Sequence, residues 1–274
     1  MTIASYRSLT TRSLRTGPYS ARVSFFVAAD AYDRFMGRYS RQLSGQLADF
    51  AGVRAGQRVL DVGCGPGALT GELVSRVGSD SVVAVDPSEP FVAAARDHHP
   101  GVDVRQGSAD ALPFADGAFD ATLAQLVVHF MPDPVAGLAE IRRVTRAGGT
   151  VAACVWDHAG GKGPLGAFWA AAHELDPAVQ DEGDLPGARE GHLAELLTAA
   201  GLQDVESTSL ISELEHPTFE DWWEPFTGGV GPAGAYVASL DTQRREALRE
   251  RCRSMLPSPP FRLTTVAWAA RGRA

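Results

Sequence analysis

Between residues 58 and 157, five apolar, β-branched runs of strand length alternate with stretches of helical periodicity, and this alternation limits the possible folds more than any other feature. The runs are RVLDVG (58–63), SVVAVD (81–86), VDVRQG (102–107), FDATLAQ (119–125) and GGTVAACVWD (148–157). Strands alternating with helices predict βαβ units, hence a doubly wound parallel sheet with right-handed crossovers and helices on both faces. Leu69, Leu73 and Val77 share one helical face before Gly78. Val135, Leu138, Ile141 and Val144 share another, between Pro134 and a closing AGG at 147–149.

After Trp156 the pattern changes. HAGGKGPLG (158–166) reads as a flexible connection, followed by helices around 168–175 and around Leu193, Leu196, Leu197 and Ala200, the latter closed by Gly201. DVESTSLISEL (204–214) and RLTTVAWAARG (262–272) read as two late strands, with a helical insertion between them at about 216–256. A single domain is expected over 30–274, with a ligand-binding half at about 58–157. The first 29 residues contain Arg7, Arg12, Arg15 and Arg22 but no acid, which fits a flexible tail and leaves a targeting segment as the alternative.

The net charge of −8 provides no basic field for collecting phosphates, so a nucleic-acid partner is not expected. Cys64, Cys154 and Cys252 are odd in number and lack paired spacing, which argues against a disulfide framework or a zinc site and points to the cytoplasm. No run approaches the roughly 20 apolar residues of a membrane span, so no membrane association is expected.

VLDVGCGPGALT (59–70) places glycines at 63, 65 and 67 between the first strand and the first helix. In a doubly wound sheet ligands bind there, at the carboxyl ends of the strands, and the glycines allow close backbone approach. Asp86 ends the second strand, where a carboxylate can accept from both hydroxyls of a ribose, so a nucleoside derivative is expected. GCGPGA also satisfies a dinucleotide pattern, which keeps an NAD-dependent oxidoreductase as the alternative. Asp61 decides against it, because a carboxylate two residues before the first glycine suits a cationic ligand end and not a pyrophosphate. Asp61 could also simply hold the loop through backbone hydrogen bonds.

With these motifs the chain resembles the class I S-adenosylmethionine-dependent methyltransferases of the small-molecule type 11 branch. VLDVGCGPGALT resembles the family's first motif, VVAVDPSE its second, GSADALPFADGAFD its third, LAQLVVHFMPD its fourth, and EIRRVTRAGGTV the segment leading to the fifth strand. The resemblance implies a Rossmann-like seven-stranded sheet whose last strand runs antiparallel, and methyl transfer from S-adenosylmethionine to a small acceptor at O, C or N. It implies that Asp61, Gly63, Cys64 and Gly65 surround the methionine part, that Asp86 holds the ribose and that Pro87 touches the adenine. Where the family often has an aspartate for the adenine amino group, this chain has Ser108 and Ala109, with Asp110 as a substitute. Gln125 and Leu126 should lie beside the methionyl chain.

Methyl transfer needs little more than positioning and desolvation, so a cofactor-binding protein without catalysis would look the same in sequence. A general base matters only for an acceptor that must lose a proton, and His129, after the fourth strand, is the candidate; packing of the next turn is its alternative role. Tyr32 and Arg38, in AYDRFMGRYS (31–40), could reach the cofactor carboxylate or pack on the sheet. His98 and His99 read as solvated residues at a helix end. Trp222, Trp223 and Phe226, in EDWWEPF (220–226), are expected to wall the acceptor, or else to seal the insertion onto the sheet.

Overall fold

A computed structural model of the chain describes residues 29–274; residues 1–28, nearly all of the expected tail, lie outside the described residues. Seven strands form one sheet: β1 (Val59–Val62), β2 (Val82–Asp86), β3 (Asp103–Gln106), β4 (Phe119–Gln125), β5 (Thr145–Trp156), β6 (Gln203–His216) and β7 (Phe261–Arg273). Their order is β3-β2-β1-β4-β5-β7-β6. The first five pair in parallel, and β7 lies antiparallel between β5 and β6. β1 and β4 are sheet neighbours from which successive strands run outward in opposite directions. Their carboxyl ends therefore flank the topological switch point where a ligand is expected.

The chain enters through α1 (Ala29–Tyr32), a π-helical turn (Asp33–Gly37) and α2 (Arg38–Ala51), which Gly52 ends at a φ of 71°. α3 (Ala68–Val77), α4 (Glu89–His98) and α5 (Pro134–Val144) cross over between the parallel strands. α6 (Gly166–Leu175) and α7 (His192–Ala199) lead to β6. α8 (Phe219–Trp223), α9 (Gly231–Ser239) and α10 (Thr242–Met255) lie between β6 and β7. Helix α5 stops at Val144, before the glycines expected to close it, because Thr145 already pairs with Phe119.

Alternation along the buried strands sorts the core into two layers. Leu60 and Val62 of β1 pack with Leu138 and Ile141 of α5 and with Leu193 and Leu197 of α7. Val59 faces the other way, toward Leu43 and Leu47 of α2 and Leu69 and Leu73 of α3. The period-2 geometry puts Asp61 on this second face, at its carboxyl end. A third core joins α6 to the insertion. Among the described residues no helix is long and apolar enough to cross a membrane.

Candidate functional site

The turn after β1 has the conformation its glycines permit. Gly63, Gly65 and Gly67 have φ of 70°, 54° and 102°, in the left-handed region that side chains disfavour. A Cβ at Gly63 would collide with Val127, and one at Gly67 would lie 2.5 Å from the His99 ring. His98 and His99 are not merely solvated: their rings hydrogen-bond the carbonyls of Pro66 and Gly67 at 2.9 and 2.8 Å and brace the loop from outside. From beneath, Asp86 accepts from the amides of Gly65 and Ser88 at 2.9 and 2.8 Å. Asp86 is buried, and desolvation raises its pKa. Each of its oxygens retains a lone pair beyond the bond it makes.

Three cavities adjoin at the carboxyl ends of the strands. The first encloses about 380 Å³, with Asp61, Gly63, Cys64, Gly65, Gln125 and Tyr32 in its walls. Asp61 is 1% exposed; Oδ2 accepts from the Thr70 hydroxyl at 2.6 Å, while Oδ1 has no partner. Desolvation pushes its pKa up to about 7 against the opposing bond from Thr70. The Gln125 amide nitrogen donates to the Ser40 carbonyl and the Ser44 hydroxyl at 3.1 Å each. A carbonyl partner fixes the orientation of that amide, and its oxygen is left buried without a donor. The first cavity thus has two buried acceptors without donors, and no Lys or Arg in its walls.

The second cavity, of about 460 Å³, shares Gly63 with the first. Val62, Pro87, Ala109, Val127, Phe130 and Met131 make it largely apolar, and Ser108 and Asp110 stand at its margin, hydrogen-bonded to each other. A flat apolar ring with a polar edge suits such a crevice.

The third cavity, of about 450 Å³, shares Tyr32 and Leu126 with the first. Leu126 has a φ of 60°, a strained conformation for a residue with a Cβ, held by a 2.9 Å bond from its amide to the Cys154 carbonyl. The walls are largely apolar, and four titratable groups line them: Tyr32, His129, His158 and Glu182. His129 is 5% exposed with Nδ1 unpartnered, and burial drives its pKa well below the usual imidazole value. Burial lowers His158 to about 4 and raises Glu182, which accepts from the Trp169 indole at 2.9 Å, to about 7.

Several sequence expectations meet a different arrangement. Trp222, Trp223 and Phe226 are 2%, 4% and 1% exposed, packed with Phe168 and Phe219 in the third core and absent from the third cavity's walls. Helix α6 supplies the facing aromatics that keep them inside. The insertion reaches the cavity instead through Val230–Ala233. Arg38 turns to Asp221, at 2.9 Å, in a separate crevice, whereas Tyr32 lines the first cavity. The connection at 158–166 is a fixed turn: Asp157 Oδ1 accepts from the Gly160 amide, the Asp157 carbonyl accepts from Lys162 and Gly163, and the Lys162 carbonyl accepts from Val266 of β7. The sequence reading missed His158 and Glu182. His158 follows the fifth strand as His129 follows the fourth, so the carboxyl-end rule would have found it; Glu182 lies in a loop with no signal.

Residues 60–153 match a family described as a methyltransferase domain, type 11. The chain is 36% identical over 128 residues to a malonyl-[acyl-carrier protein] O-methyltransferase of Erwinia billingiae, covering 47% of this chain and 50% of that protein. It is 30% identical over 216 residues to an uncharacterized protein of Mycobacterium bovis, covering 72% and 76%. Across several curated relatives the chain spans a third to a half of their length. Among solved structures, phosphoethanolamine N-methyltransferase 2 of Haemonchus contortus superposes with a TM-score of 0.56 at 18% identity, over 93% of this chain and 59% of that one.

Proposed function

The chain belongs to the class I S-adenosylmethionine-dependent methyltransferases, type 11, and from that premise we propose that it methylates a small molecule held in the third cavity. The observation that carries this reading is the pair of unsatisfied acceptors, Asp61 Oδ1 and Gln125 Oε1, in a cavity that adjoins an apolar crevice on one side and the third cavity on the other. Buried acceptors left without donors are costly, and a cationic, donor-rich ligand end removes that cost. An α-ammonium group fits there. A pyrophosphate would face Asp61 and Asp33 with no Lys or Arg in the walls, so the dinucleotide alternative lacks support.

In this reading Asp61 and Gln125 hold the amino-acid end, Gly63, Cys64 and Gly65 admit it, and Asp86 offers its remaining lone pairs to the ribose hydroxyls. Pro87, Ala109 and Met131 take the adenine faces, and the Ser108–Asp110 pair meets its polar edge. The cofactor supplies an electrophilic methyl group on a sulfonium. Tyr32 and Leu126 stand at the boundary between donor and acceptor spaces, and the apolar walls beyond them exclude water from it. His129 faces the acceptor as the candidate base. The net charge of −8 supports a small-molecule acceptor over nucleic acid.

Incubating the purified protein with methyl-labelled S-adenosylmethionine and a metabolite extract tests the proposal. Label is expected in an extractable small molecule. Cofactor binding with no labelled product would favour a cofactor-binding protein without catalysis.

A further inference from the structure

A sheet ends in strands whose outer N–H and C=O groups have no neighbouring strand, and an open edge can pair with another chain. The two edges of this sheet differ. β3 is 4 residues long, carries Asp103 and Arg105, and its Val104 carbonyl accepts from Nε and Nη2 of Arg96 at 3.0 and 2.7 Å. β6, at the other edge, is 14 residues long and contains STSLIS (207–212), a run with neither charge nor proline. Ile211 in that run is 42% exposed. A run of this kind on a long edge is prone to pair with a copy of itself.

Helix α2 meets β6 with two glutamines one turn apart. Gln42 Oε1 accepts from the Glu213 amide at 2.9 Å while its Nε2 donates to the Glu213 carbonyl at 2.8 Å. Gln46 does the same for Ile211, at 3.0 and 2.6 Å. A primary amide presents the donor and the acceptor of a peptide group, so each side chain takes the place that one residue of an eighth strand would fill. The helix is fastened at both ends as well: the Tyr39 hydroxyl bonds His216 at 2.9 Å, and the Phe50 carbonyl accepts from Arg271 at 2.6 Å. One turn beyond Gln46 the side chain is that of Phe50, which has no amide to offer the strand.

We infer that the β6 edge is a latent self-pairing surface of this chain, its partner the same edge of a second copy, and that Gln42 and Gln46 hold it closed. Antiparallel pairing about a two-fold axis at Ser209 sets Ser207 opposite Ile211, Glu206 opposite Ser212 and Glu213 opposite Val205 of the second copy. No carboxylate then faces another, so charge does not oppose the pairing and the cover must come from elsewhere. The two glutamines supply it. Neither lines any of the three cavities, so this surface is independent of the methyltransferase reading.

The test uses the full chain carrying Gln42→Ala and Gln46→Ala together, followed by sedimentation over a range of concentrations and by amide exchange. In dilute solution the amides of Ile211 and Glu213 are expected to exchange about tenfold faster than in native protein. On concentration the variant's mass is expected to rise toward twice that of one chain, where native protein does not change. Adding Ser209→Lys, which would set two like charges opposite each other on the axis, should return the mass to the native value and leave the faster exchange. Should the double variant fail to fold, Gln46→Met, which keeps the side chain's length and removes its amide, carries the same expectations. Unchanged exchange, a variant that keeps the native mass at every concentration, or association that survives Ser209→Lys would overturn the inference. Native association abolished by Ser209→Lys would overturn it too, because the edge would already be open.

Discussion

The amide of Gly65 donates to Oδ2 of Asp86 across 2.9 Å, so the end of β2 holds the loop that follows β1. The carboxylate expected to grip a ribose also shapes the turn against which that ribose would lie. Asp86→Ala is therefore expected to act twice, removing the sugar's partner and freeing the amides of Gly65 and Ser88. S-adenosylhomocysteine affinity should fall by about 2–4 kcal/mol, measured by calorimetry. Hydrogen exchange at Gly65 should quicken in the ligand-free variant. An unchanged affinity would place the ribose elsewhere.

Asp61 makes stability depend on pH in a sense opposite to that of a salt-bridged carboxylate. Its folded pKa of about 7 stands above the ordinary carboxylate value of 3.8. Between those values the unfolded chain has released a proton that the folded chain keeps, so this group's contribution to stability is lost as pH rises through the window, and is level above it. Asp86 and Glu182 act in the same sense, whereas the lowered His129 and His158 act in the other. The difference between Asp61→Asn and native denaturation curves isolates the one group. The ligand-free variant is expected to gain on the native protein from pH 4 to 7, by on the order of 2–4 kcal/mol. A flat difference would show that Asp61 is already ionised without a ligand.

Gly67→Ala is expected to destabilise the protein by about 1–3 kcal/mol, from the left-handed backbone and from collision with His99. Adding His99→Ala removes the collision and leaves the backbone strain, so thermal denaturation should show partial recovery. Full tolerance of the single change would mean that the loop is not braced by His99.

The fold and the geometry of the turn after the first strand were legible because they rest on local chemistry. The strand runs, the glycines at 63, 65 and 67 and the acid at 86 are separated by spacings that the sheet geometry converts into neighbours. The acceptor side was not. Trp222 and Trp223 lie on a short helix whose inward face depends on Phe168, some fifty residues earlier in the chain, and no periodicity in EDWWEPF could reveal that partner. Glu182 is held by Trp169 and enters its cavity from a loop, where spacing carries no information. His98 and His99 sit at a helix end that would suit solvated cations, yet the fold brings them to Pro66 and Gly67, thirty-two residues away.

Because both tryptophans are core, Trp222→Ala and Trp223→Ala should each cost about 3–5 kcal/mol in thermal or urea denaturation. Neither should selectively abolish acceptor turnover in protein that remains folded. A stable Trp222→Ala protein with cofactor affinity kept and turnover lost would restore the tryptophan to the acceptor wall.

In the proposed complex the unpartnered acceptors of Asp61 and Gln125 receive the amino-acid end of a nucleoside cofactor. Calorimetric titration of native protein with S-adenosylhomocysteine, 5′-methylthioadenosine and NAD tests it most directly, since the second ligand keeps the nucleoside and lacks the amino-acid end. S-adenosylhomocysteine should bind saturably, methylthioadenosine about a hundredfold more weakly, and NAD not at all, with the hundredfold gap largely lost in Asp61→Asn. Equal affinities for the first two ligands, or saturable NAD binding without S-adenosylhomocysteine binding, would contradict it.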